Sequence, residues 1–223
     1  MNIWTITLLI MLLGMLAQFM LKNRFAKYSK VPTYNGMTGA EVARKMLSDH
    51  GIDKVRVQMT SGMLTDHYNP QTMCINLSEA VYNSRSIAAA AVAAHECGHA
   101  VQHACGYAPL RLRSALVPVV NFASNIVQWV LLAGILLINV VPSLLWLGIG
   151  LFALTTLFSL VTLPVEINAS RRALAWLPQA GVSDDRTTPM AFDALKWAAY
   201  TYVIAAIGSL ATLFYYIGIA RRD

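Results

Sequence analysis

Residues 114–165 read SALVPVVNFASNIVQWVLLAGILLINVVPSLLWLGIGLFALTTLFSLVTLPV, 52 residues without a charged side chain. A helix rises about 1.5 Å per residue, so roughly 20 apolar residues cross the roughly 30 Å of bilayer hydrocarbon. The stretch is therefore long enough to cross twice. Its turn is expected at Asn139-Val140-Val141-Pro142-Ser143, where Asn and Pro interrupt the apolar run. Two further charge-free stretches, Ile3–Leu21 with 19 residues and Trp197–Ala220 with 24, repeat the pattern. Together they predict four transmembrane helices, over 3–21, 117–138, 144–164 and 198–219. Composition agrees: 57% of the 223 residues are hydrophobic and 13% charged, against about 45–50% and about 25% in soluble domains. This excludes a plain soluble globule and a disordered chain. The scattered 13 Gly and 8 Pro exclude a collagen-like one.

The charges that remain set an orientation. No Lys or Arg precedes the first apolar stretch, which is also too long for the apolar core of a cleaved signal peptide. Lys22, Arg24, Lys27 and Lys30 follow it directly, and excess Lys and Arg mark the cytoplasmic side. Four spans then leave two cytoplasmic segments, 22–115 with 11 Lys/Arg and 165–196 with four, and place only Arg221 and Arg222 outside. The net charge of +6 is thus mostly topological. No basic run is interleaved with aromatics, so nucleic acid is not an expected partner, whereas membrane lipid is. Localisation follows as a multi-pass membrane protein with its polar part facing the cytoplasm. Cys74, Cys97 and Cys105 all lie on that reducing side, without a CxxC pair, and are expected as free thiols.

The polar part, 36–110, reads as a small α+β unit. Thr38 with Glu41 is a capping box that opens a helix carrying Val42, Met46 and Leu47, and Gly51 closes it. Val55–Met59 alternates like a half-buried strand, Met63–Tyr68 and Met73–Leu77 are two more candidates, and Asn69-Pro70-Gln71-Thr72 is a turn signal. A small antiparallel sheet is therefore expected before an Ala-rich helix over 86–105, whose small side chains permit close packing of another element.

That helix contains Ala94-His95-Glu96-Cys97-Gly98-His99, the pattern His-Glu-x-x-His. Residues four apart share a helix face, so His95 and His99 can bind one Zn²⁺ while Glu96 sits beside the metal, placed to take a proton from water. A catalytic zinc site needs a third protein ligand and an open position. His103 lies about 12 Å from His95 along a continuous helix and cannot share the ion. His50 and His67 lack positional support. Glu166, the first charge after the 52-residue run, is the better third ligand, since a lone carboxylate at a membrane boundary calls for a partner.

Glu166-x-x-Ala169 downstream of His-Glu-x-x-His resembles the gluzincin metallopeptidases, and two apolar spans between the motifs resemble the HtpX-like membrane zinc proteases. Ala94-His95-Glu96-x-Gly98-His99-Ala-x-Gln102-His103 together with Pro164-Val-Glu166-x-Asn168-Ala169-Ser170-Arg171-Arg172 is most similar to the bacterial membrane neutral zinc metallopeptidases of the YugP type. The resemblance spans nearly the whole chain. It implies a zincin-like catalytic unit, one zinc ion held by His95, His99 and Glu166, and Glu96 as catalytic acid and base. Ser170 stands where the broader gluzincin pattern often has Asp, which would hydrogen-bond a ligand histidine. Ser170 brings no charge, and Asn168 competes for that supporting role.

The function expected is a membrane-bound zinc endopeptidase. His67, Tyr68, His103 and Arg171 are candidate donors to the reacting carbonyl. An exposed sheet edge within 55–77 would accept an extended peptide, so substrates are expected to be unfolded or membrane-protein segments, loosely specified. A non-catalytic zinc-binding scaffold is the alternative. It would close the fourth zinc position with Cys97 or His103, yet Cys97 points about 160° away from the two histidines. A metal transporter would need ionisable groups inside the spans, and these have none. Oligomeric state is not legible in the sequence.

Overall fold

The computed structural model describes residues 3–62 and 64–221. Met63, where the second expected strand begins, and Arg222 lie outside the described residues. The chain is mostly helical and divides into two compact units. The polar unit comprises Ala17–Ala108 and Val165–Tyr200, and the apolar unit Met1–Leu16, Pro109–Pro164 and Thr201–Asp223.

In the polar unit each element has a local cause. Helix α1 (Ile3–Tyr28) ends there. Helix α2 (Gly39–Asp49) opens with the capping box: the Glu41 N–H donates to Thr38 Oγ1 at 3.2 Å, and the Thr38 N–H donates to Glu41 Oε2 at 2.7 Å. Strands β1 (Arg56–Thr60), β2 (His67–Asn69) and β3 (Cys74–Ser78) form a sheet of order β1-β3-β2. The β2–β3 pair is an antiparallel hairpin, with Tyr68 opposite Ile75. Its turn is held by Asn69 Oδ1, which accepts from the N–H groups of Gln71 at 2.9 Å and Thr72 at 3.2 Å.

The expected all-antiparallel sheet is corrected here: β1 pairs with β3 in parallel, Arg56 opposite Cys74 through Thr60 opposite Ser78. Strand β3 is buried at every residue and so takes the centre. Leu64, with φ of 58°, breaks the extended run expected from residue 63 and shortens β2 to three residues. The chain then cannot make a β1–β2 hairpin, and β1 closes on the far side of β3.

A short helix α3 (Glu79–Tyr82) leads to α4 (Ile87–Ala104), capped by Ser86, whose Oγ accepts from the Ala89 N–H at 3.3 Å. Ala88–Ala91, Ala93 and Ala94 are fully buried. One apolar cluster joins these alanines to Val42 and Met46 of α2, Ile75 and Leu77 of β3, and Ala173, Trp176 and Leu177. Small side chains thus let α4 occupy the centre of the unit.

Among the described residues four helices are long and apolar enough to cross a membrane: α1, α5 (Ala108–Leu136), α6 (Pro142–Gln179) and α7 (Thr188–Ala220), with mean hydropathy between 1.7 and 2.2 in their most apolar windows. In the apolar unit Trp4, Phe122, Trp129, Ile207 and Phe214 are all exposed, as lipid-facing side chains are. The turn between α5 and α6 starts at Leu137, two residues before the expected Asn139, and Pro142 is the first residue of α6, where its missing N–H costs nothing. Helix α6 runs unbroken through Pro164 to Gln179.

Candidate metal centre

All site residues belong to the polar unit. Helix α4 carries His95, Glu96 and His99, and the stretch of α6 beyond Pro164 carries Glu166, Asn168 and Ser170. The two helices meet where Gly98 faces Ala169: a Cβ added at Gly98 would stand 2.6 Å from the Ala169 carbonyl oxygen. Glycine inside the motif therefore removes the side chain that would hold α6 away, and Glu166 comes within reach of both histidines. Glu166 Oε2 lies 3.3 Å from His95 Nε2 and 3.5 Å from His99 Nε2. The two imidazoles stand edge to face, ring centroids 4.9 Å apart.

These three residues form a cluster that could hold a metal ion, one ligand atom from each, all within 4.8 Å of one another. Ligands about 2.0 Å from a tetrahedral zinc sit about 3.3 Å apart, close to the two nitrogen–oxygen separations. Two imidazoles and a carboxylate are also a donor set typical of a zinc site with an open position. His99 and Glu166 are buried, while His95 is half-buried. Burial alone would lower the His99 pKa. The hydrogen bond to Glu166, with the negative charges of Glu96 and Glu166, overrides it and raises the pKa above the ordinary histidine value. The pocket thus attracts positive charge.

Each histidine has a second partner at Nδ1. Ser170 Oγ lies 3.0 Å from His95 Nδ1, so the serine occupies the supporting position despite carrying no charge. His99 Nδ1 lies 3.1 Å from Gln102 Oε1. Gln102 is fully buried, and its Nε2 donates to the Val165 carbonyl at 2.8 Å and to Asn168 Oδ1 at 3.0 Å. Asn168 therefore acts through Gln102 and not on a histidine directly. Its Oδ1 also accepts from Arg172 Nε at 2.8 Å. Sequence reasoning assigned no role to Gln102 or Arg172. The signal available was spacing: Gln102 falls three residues after His99, on the same helix face.

Glu96 is buried, and its Oε2 accepts the backbone N–H of Tyr68 at 3.0 Å. The free edge of β2 thus stands directly beside the glutamate. The other candidates are distributed less closely. The Tyr68 hydroxyl pairs with His103 Nδ1 at 2.7 Å, one turn along α4 from His99, and burial raises the Tyr68 pKa. His67 turns to the Thr65 carbonyl and Asn76. Arg171 is exposed. His50 caps α2 through the Met46 carbonyl. Cys97 is buried on the far side of α4, its thiol donating to the Ala43 carbonyl at 3.4 Å, and burial pushes its pKa up. All three cysteines are free.

The chain matches the family described as "Putative neutral zinc metallopeptidase" over residues 3–221. It is 45% identical over 201 residues to the protein named "Putative membrane protease YugP" of Bacillus subtilis (strain 168), an alignment covering 90% of this chain and 88% of that one. No solved structure matches it.

Proposed function

Because this chain belongs to the family of neutral zinc metallopeptidases, we propose that it is a membrane-bound zinc endopeptidase whose His95, His99 and Glu166 hold one zinc ion. The observation that carries this reading is the convergence of two imidazole nitrogens and one carboxylate oxygen beside a fourth group, Glu96, that is not a member of the cluster. Zinc, when bound, supplies a Lewis acid that polarises a carbonyl and brings the acidity of water near neutral pH.

The chain's own residues do the rest. Glu96 accepts the proton of the attacking water and returns it to the leaving amine. The Tyr68 N–H holds the carboxylate in place from β2. Of the four candidate donors to the reacting carbonyl, Tyr68 and His103 are the pair supported by mutual contact, the His103 ring fixing the Tyr68 hydroxyl. An extended substrate segment laid along β2 would offer its backbone to this edge and its scissile bond to Glu96. With three residues in β2, such binding reads extension more than sequence, which suits unfolded or membrane-protein segments.

The scaffold alternative loses support from the positions of the two groups that would close the zinc site. The Cys97 thiol reaches Ala43 and His103 pairs with Tyr68. The basic segments flanking the apolar helices support catalysis at the cytoplasmic face of the cell membrane, in contact with membrane lipid. The native thiol that tests this is Cys105, which is exposed, whereas Cys74 and Cys97 are buried. An impermeant maleimide should label Cys105 only after the cells are opened, and labelling of intact cells would reverse the topology.

The chemistry is tested by Glu96→Gln. The amide nearly keeps the shape of the acid but cannot take a proton from water, so hydrolysis of an unfolded protein such as casein should fall by about 10²–10⁴-fold or more. Zinc content should stay at the wild-type value. Full zinc-dependent proteolysis by this variant would sink the mechanism.

A further inference from the structure

Three carboxamides, Asn121, Asn125 and Gln128, fall inside the span expected over 117–138, and α5 turns them away from its neighbours. The packed face of α5 carries Val120, Ala123, Leu131 and Gly134, all buried. It closes on α6, where a Cβ added at Gly134 would stand 2.6 Å from Leu145 Cα. Asn121, Asn125 and Gln128 lie roughly 120° round the helix from that face, and all three are exposed. Among the described residues no hydrogen bond reaches any of these carboxamides. The hydroxyls of Thr155, Ser159, Ser209 and Thr212, by contrast, each return to a carbonyl of their own helix. Water at the bilayer surface cannot serve Gln128. It stands at least ten residues from either end of the span, about 15 Å along the axis, well beyond the reach of a glutamine side chain. A carboxamide left bare in hydrocarbon is costly, because nothing there replaces the hydrogen bonds it makes in water. This face therefore calls for a polar cover.

Its spacing and chemistry say which. Pro118, Asn121, Asn125, Gln128, Leu132 and Ile135 follow one another at alternating steps of three and four, and all six are exposed. Such an alternation, about 3.5 on average, is the seam along which two helices wind round each other with a left hand. A carboxamide has an acceptor oxygen and two donor hydrogens, so its charge pattern is complementary to itself. Two copies of this chain inserted in one orientation have parallel α5 helices. A two-fold axis along the membrane normal then sets each residue opposite its own counterpart at the same depth. Asn121, Asn125 and Gln128 thus meet identical groups with no register to search for, whereas an unrelated partner would need three polar side chains at matching depths. We propose that this chain dimerises in the membrane through α5, with Asn121, Asn125 and Gln128 pairing across the two-fold axis. Ser124, exposed beside the seam, is small enough to let the two backbones approach.

The test uses the full chain in vesicles of phosphatidylethanolamine and phosphatidylglycerol. Cys105, the exposed native thiol, carries a donor fluorophore in one batch and an acceptor in another, and energy transfer is followed as added lipid dilutes the mixture. The wild type should show transfer that falls along a monomer–dimer curve and that unlabelled protein competes away. Replacing Asn121, Asn125 and Gln128 together by Leu keeps side-chain bulk but removes the hydrogen bonds, and should raise the dissociation constant by about 10–100-fold, since polar contacts between membrane helices are individually modest. Circular dichroism reports whether that variant is folded. If it is not, Gln128→Leu alone carries the test, with a rise of about 3–20-fold. In a Cys105→Ser background, oxidation should cross-link Leu132→Cys, in the seam, and spare Val119→Cys, which is exposed on another side of α5. A wild type that stays monomeric at every lipid ratio, a folded Leu variant with an unchanged dissociation constant, or cross-linking at Val119→Cys in preference to Leu132→Cys would overturn the proposal. So would fast labelling of Leu132→Cys by a charged maleimide, since the seam would then face water. Cross-linking in the native membrane that joins position 132 to a different protein and to no second copy would overturn it as well.

Discussion

The polar and apolar units are built from similar helices by opposite means. In the polar unit, alanines and one glycine of α4 are buried, and polar atoms at the centre are matched one to one: Ser170 to His95, Gln102 to His99, the Tyr68 N–H to Glu96. In the apolar unit, large side chains such as Phe122, Trp129 and Phe214 are exposed, and hydroxyls return to their own helix, as Thr155 and Thr156 do to the Phe152 carbonyl. The first unit has geometry to lose. The second has a solvent to match, since lipid tails ask for length and apolarity more than for particular neighbours. Identical changes should therefore cost much in one unit and little in the other.

The largest expected contrast is at the ligands. Glu166→Ala should abolish stoichiometric zinc binding, an effect beyond the roughly 10–100-fold of a lost supporting hydrogen bond. His103→Ala, one turn past His99 and paired with Tyr68, should keep the metal, as should Phe122→Ala in the apolar unit. Elemental analysis of the purified proteins decides. Zinc retained by Glu166→Ala, or lost by Phe122→Ala, would erase the distinction between the units.

The same contrast explains what could be read in advance. The capping box at Thr38, the turn at Asn69, the helix around His95 and the presence of four long apolar helices are local signals, carried by residues a few places apart, and the described residues have them. Glu166 was legible because a lone carboxylate ending a long apolar run stands out. The parallel β1–β3 pairing was not legible. It depends on β3 being buried on both faces and on the left-handed Leu64, and alternation within one strand says nothing about its partner's direction. Gln102 and Arg172 were missed for a related reason: their roles exist only once α4 and α6 cross, some 63 residues apart along the chain for the Gln102–Val165 contact. Within the apolar unit, helices apolar on every side give no stripe from which to assign facing partners.

A smaller and more diagnostic contrast comes from adding one methyl group. In Gly98→Ala the new Cβ would lie 2.6 Å from the Ala169 carbonyl oxygen and 3.0 Å from its Cα, both backbone atoms. No side chain can rotate away, so the helices must shift apart. Overpacking of this kind costs about 1–3 kcal/mol. The shift also moves Glu166 relative to His95 and His99, so zinc affinity should fall together with thermal stability. A Gly98→Ala protein with wild-type zinc affinity would show that the close approach does not set the ligand geometry.

The smallest effect should come from that substitution at Gly150 in α6. Gly150 is exposed, and a Cβ built there meets nothing within 4 Å. The added methyl group therefore creates no clash, and it breaks no contact that a glycine could have made. What changes is backbone freedom: alanine favours the helix over glycine by up to about 1 kcal/mol in water. The benefit should be smaller where surrounding lipid already forces the chain to satisfy its own backbone hydrogen bonds. Gly150→Ala should thus raise the unfolding midpoint in detergent slightly or leave it unchanged, with zinc binding and casein hydrolysis at wild-type values. The comparison with Gly98→Ala holds residue type, helical setting and added volume constant and varies only what stands opposite. If Gly150→Ala destabilised the protein as much as Gly98→Ala, an additional partner would have to cover that face of α6, and the apolar unit would prove as closely fitted as the polar one.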